Sequence, residues 1–157
     1  MDDKLHIEMH RLVDELGKFS IHMTVRPPTV MAPAQCEEFV RELLLQITHE
    51  CFHDGADLIG HVKAFLTSEH GTSLGASLID FKLGVVMSNG LDDRGLTEGD
   101  LTVHVIVHGI WDNDVRHAAM EVLERLLPER HIAYTVLQDY YEKEKGMAHH
   151  THPAKKE

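Results

Sequence analysis

Histidine is the residue type that sets this chain apart: 14 of its 157 residues carry an imidazole, and their spacing sorts them by the chemistry they could do. His49 and His53 stand at i and i+4. On a helix that spacing brings side chains about 5–6 Å apart on one face, which suits shared coordination of a divalent transition metal such as nickel, cobalt or zinc. His6 and His10 repeat the spacing. The run HHTH places His149, His150 and His152 on one short stretch that could collect the same ions. The plainer expectation for each helical pair is two solvated imidazoles. Cys51 lies between His49 and His53 in sequence, yet a helix turns it onto the opposite stripe with Cys36, where a thiol packs as a small hydrophobe.

A second set of histidines has strand spacing. In LTVHVIVHGI, residues 101–110, Val103, Val105 and Val107 alternate with Thr102, His104, Ile106 and His108, the period-two pattern of a half-buried strand. Residues four apart on a strand are separated by roughly 13 Å, so His104 and His108 cannot share one ion. They belong instead to a polar sheet face. If the hairpin before them turns near Gly71 and Thr72, then Lys63 faces Asp80 and His61 faces Lys82. The face would then hold His61, Lys63, Asp80, Lys82, His104 and His108. Such a face suits a subunit interface, open solvent, or a ligand cleft in which histidine serves as acid or base.

The elements that must position these residues follow from periodicity. Leu5, Met9, Leu12 and Leu16 predict an amphipathic helix over residues 3–17 with Gly17 as its stop. After VRPPTVMAPA, a second helix is expected from about Pro33 to residue 52, with Cys36, Val40, Leu43, Ile47 and Cys51 on its apolar stripe. Strands are expected over 57–67 and 75–87, then the LTVHVIVHGI strand. A helix over 113–127 should end at Pro128, with a last strand near 131–138. Trp111 is expected to be a partly buried packing residue. The resulting fold class is α+β: a small mixed, largely antiparallel sheet of about four strands with helices packed on one face, in the order ααβββαβ. Residues 1–140 are expected to form one domain and 141–157 a flexible, histidine-containing tail.

Bulk composition excludes several classes. A formal charge of -11 argues against nucleic acid or an anionic membrane as partner. Protonating every histidine would bring it to -11 + 14 = +3, so charge depends strongly on pH near about 6.5. No apolar run approaches the ~20 residues of a bilayer span, and the acidic start MDDKLHIEMH lacks the pattern of a secretory signal. Two cysteines outside any ligand spacing agree with a cytoplasmic location. There is no nucleotide-binding motif or nucleophile elbow. The leading functional expectation is a cytoplasmic, non-enzymatic accessory protein that binds or buffers a divalent transition metal through histidines as a homo-oligomer. The rival expectations are a small enzyme or ligand-binding protein using the His/Lys/Asp-lined sheet face, and a structural subunit without chemistry.

Overall fold

A computed structural model of the chain describes residues 16–140. The expected first helix therefore lies almost wholly outside the described residues. Its last two positions, Leu16 and Gly17, open a strand instead. This strand, β1 (Leu16–Arg26), buries Phe19, Ile21, Met23 and Val25 at alternate positions. Helix α1 (Pro33–His53) follows, with Pro33 in its first turn. It is succeeded by β2 (Leu58–Ser68), β3 (Ser73–Leu78), β4 (Val86–Asn89) and β5 (Gly99–His108). Helix α2 (Asp112–Glu129) and β6 (Ala133–Asp139) complete the order. Helix α2 runs past its expected end and carries Pro128 in its last turn. Trp111, at its N-cap, is 60% exposed rather than packed.

The fold is α+β as expected, but the sheet has six strands rather than about four, ordered β4-β3-β2-β5-β1-β6. It is also antiparallel at every neighbouring pair, not mixed. The reason lies in the crossovers. Strands β1 and β2, joined by α1, run parallel but have β5 between them; β5 and β6, joined by α2, run parallel but have β1 between them. Each helix connection thus skips one strand, the split βαβ arrangement, and the β3–β4 extension widens the sheet on one side.

Both helices cover the same side of the sheet. The stripe Cys36, Phe39, Val40, Leu43, Leu44, Ile47 and Cys51 of α1, and Val115, Ala118, Val122, Leu123 and Leu126 of α2, meet Val62, Ala64, Leu101, Val103, Val105 and Val107 in one core. The buried Thr48 hydroxyl donates to the Leu44 carbonyl at 2.8 Å, so it adds no unpaired group. Burial raises the Cys36 thiol to about 11 and the Cys51 thiol to about 12, which keeps both neutral and agrees with packing rather than ligation. No helix among the described residues is long and apolar enough to cross a membrane. Among the described residues the other side of the sheet carries no helix, and the strand period projects its polar residues there.

Candidate functional site

The antiparallel registers set the open face out in rows across β1, β5 and β2: Lys18–Ile106–His61, then Ser20–His104–Lys63, then His22–Thr102–Phe65, then Thr24–Asp100–Thr67. His104 occupies the centre. Gly60 makes this arrangement possible, because the β2 register shifts between Ile59 and His61. A Cβ at Gly60 would stand 2.8 Å from the Ile106 carbonyl oxygen, too close for any other residue. The bulge delivers His61 opposite Ile106, beside the central row.

Around His104 the face sinks into a concavity of about 380 Å³ whose polar lining is Lys18, Ser20, His61, Lys63, His104 and Tyr140, a size within the range of small-molecule sites. Phe65 and Ile106 add apolar walls, and Phe65 meets the His104 ring edge-on at 6.5 Å between centroids. No Asp or Glu lines this concavity among the described residues. The Ser20 hydroxyl lies 2.6 Å from His104 Nδ1, so Nε2 is the nitrogen left for a ligand. Burial holds His104 below the ordinary 6.5, and the neighbouring His61 and Lys63 push it down further. The ring is therefore neutral at neutral pH.

The far end of the same face has the opposite sign. Thr24, Thr67, Glu69, Glu98 and Asp100 line a smaller depression of about 160 Å³. Glu69 accepts from the Thr97 hydroxyl and from the backbone N–H groups of Thr97 and Glu98. The Thr97 hydrogen bond, with the backbone donors, holds the Glu69 carboxyl down to about 2. His22 Nε2 approaches Asp100 at 3.7 Å between the two ends.

The expected face is thus assembled in part. His61, Lys63 and His104 come together at the concavity. His108 projects on the same side but is 6% exposed, with Nδ1 2.6 Å from Asp57 Oδ1, and it does not line the concavity. Asp80 and Lys82 leave the face, because β3 ends at Leu78. The hairpin pairs Lys63 with Ser77 rather than Asp80. Beyond Leu78 the chain turns: Asp80 Oδ1 accepts the Lys82 N–H at 2.7 Å, and the Gly84 N–H donates to the Asp80 carbonyl. Lys18, Ser20, Phe65 and Tyr140 are site residues that the sequence reading missed. For Lys18 and Ser20 the alternation through KFSIHMTV, residues 18–25, is the signal.

His49 and His53 are exposed on α1, away from the cysteine stripe as expected. His49 stacks on Phe81, centroids 5.0 Å apart. Among the described residues no group of three or more His, Cys, Asp and Glu is placed to hold a metal ion. His6, His10, His149, His150 and His152 lie outside the described residues, as does the expected tail 141–157.

No family model and no curated protein matches this chain. Among solved structures, the chain is similar to AtUAH, from the crystal structure of AtUAH in complex with glyoxylate. The two share 11% identity at a TM-score of 0.42, over 85% of this chain. The match covers 31% of that longer protein, and a likeness this distant carries no argument about function.

Proposed function

We propose that this protein binds a small anionic molecule, carrying carboxylate or phosphate, in the concavity at the centre of its open sheet face. One observation carries the reading: in a chain of formal charge -11, this concavity has Lys18 and Lys63 as its charged lining and no carboxylate among the described residues. Local charge decides which ligands enter a cleft even when net charge is of the other sign. His61, His104, Ser20 and Tyr140 supply further hydrogen-bonding groups, and Phe65 and Ile106 accept a short carbon frame. Calorimetric titration of the full chain with fumarate at low salt tests the reading. Replacing both Lys18 and Lys63 by Ala should weaken binding by roughly tenfold or more, since each charge-assisted contact contributes on the order of 1 kcal/mol or above. Equal binding by the double variant would sink it. Transition-metal binding stays an expectation of the sequence: His49 and His53 stand one helical turn apart on α1, as that reading requires, but among the described residues no third His, Cys, Asp or Glu joins them.

A further inference from the structure

Resting on the anion-site reading, we infer that the ligand is a small dianion and that it is bound together with a proton taken up at His104. The geometry around the ring supplies the reason. Lys63 stands directly beside His104 on β2, Ser20 directly beside it on β1, and Lys18 and His61 flank it diagonally in the neighbouring row. Tyr140, which follows β6, also lines the concavity. On the other side of the row, His22 faces Asp100 at 3.7 Å, and Thr102 brings no charge. With the site empty, a proton on His104 would add a third positive charge to a half-buried site that already holds Lys18 and Lys63, and burial, His61 and Lys63 oppose it.

A bound anion changes that balance by an amount set by its charge. A monoanion offsets one ammonium and leaves the site positive, so the imidazole stays neutral. A dianion offsets both lysines. A protonated ring then meets an acceptor instead of two repelling neighbours, and its Nε2–H makes a charge-assisted hydrogen bond. Ser20 keeps Nδ1 occupied and the ring oriented in either state. By linkage, whatever ligand raises the proton affinity of His104 must itself bind more tightly as pH falls. The site therefore selects dianions over monoanions of the same shape, and does so most strongly on the acid side of neutrality.

Fumarate and crotonate separate these effects, because they share a planar four-carbon frame and differ by one carboxylate. The full chain is titrated with each at about pH 6.5, where an unperturbed imidazole is half-protonated, in two buffers of small and large ionisation enthalpy. The expected result is fumarate binding roughly tenfold tighter than crotonate, with a fraction of a proton taken up per fumarate. The uptake should vanish in His104→Gln and persist in His61→Gln. Crotonate binding as tightly as fumarate overturns the dianion assignment while leaving the anion site intact. Fumarate binding with no difference between buffers overturns the proton uptake, and this outcome needs only the wild-type chain. Uptake lost in His61→Gln but kept in His104→Gln moves the proton to the wrong residue and overturns the assignment. If neither acid binds, and the Lys18/Lys63 double variant behaves as wild type, the anion site itself falls.

Discussion

The two sides of β5 are made by the same ten residues and obey different rules. On the helix-covered side Leu101, Val103, Val105 and Val107 are fully buried against α1 and α2. On the open side Asp100, Thr102, His104 and Ile106 stand in rows with charged and hydroxyl-bearing neighbours. On the covered side what matters is apolar area and shape, because each buried Å² contributes about 25 cal/mol and a misfit leaves a void. What matters on the open side is charge and its order along the strand, with lysine and histidine at one end and carboxylates at the other. A period of two keeps these demands on separate residues, so stability and ligand chemistry can be altered one at a time.

The sharpest way to break this comparison is to put the open side's chemistry on the covered side. Val105→Asp would bury a carboxylate with no partner beside Val103 and Val107, at a cost of several kcal/mol, against a total stability of roughly 5–15 kcal/mol for a domain. We expect loss of the cooperative urea transition. A variant that unfolds at the wild-type urea midpoint would show that the covered side is not the core.

A smaller effect is expected at the acidic end of the open side. Glu69→Gln removes the charge that accepts from Thr97 and Glu98, and the loss at neutral pH should be about 1 kcal/mol for hydrogen bonds in a partly solvated place. Glu69 is held well below its ordinary 4.5, to about 2. Its contribution is therefore present above 4.5 and disappears as pH falls through 2. Urea midpoints of wild type and variant should differ at pH 7 and converge near pH 2. A constant difference would mean that the carboxylate charge is not what holds this loop.

How legible each side was depended on how long its pattern ran unbroken. Strand β5 announces itself because Leu101, Val103, Val105 and Val107 alternate without interruption, and α1 because its stripe repeats over about four turns from Cys36 to Cys51. Strand β1 did not, because Leu16 also completes a helical series with Leu5, Met9 and Leu12, and Gly17 then resembles a helix stop. Gly17 is in fact required inside the strand, where a Cβ would run into the Ile110 carbonyl. That double meaning hides β1, and with it Lys18 and Ser20 of the site and two pairings of the sheet. The opposite error occurred beyond β3. Ile79, Phe81 and Leu83 continue the alternation in sequence, yet they are exposed in the turn before β4, so the apparent strand carried Asp80 and Lys82 onto a face they do not reach. Hairpin register is poorly marked in the sequence, since nothing local distinguishes a turn at Gly71 from one a residue or two earlier.

The smallest expected effect lies at the cationic end, and it resembles that of Glu69 in direction while differing in meaning. His104 is shifted downward too, but for a base a downward shift means that the fold resists the charge rather than holding it. Above its ordinary 6.5 both folded and unfolded chains leave this ring neutral, and it contributes nothing that varies with pH. As pH falls below 6.5 the unfolded chain takes up the proton first, so the folded state loses ground until the folded value is passed. His104→Gln removes that loss while keeping a hydrogen-bonding group beside Ser20. Between pH 8 and pH 5.5, the urea midpoint of wild type should therefore fall more steeply than that of the variant, and the curves should run parallel above pH 7.5. Lys63→Ala should show part of the same flattening, because one source of the opposition is gone. Adding fumarate to the wild type should flatten its curve as well, since a bound dianion makes the proton welcome at His104. Parallel curves for wild type and His104→Gln throughout would show that this imidazole titrates as if free in water, and the open side would then lack the charge-sensitive centre that distinguishes it from the covered one.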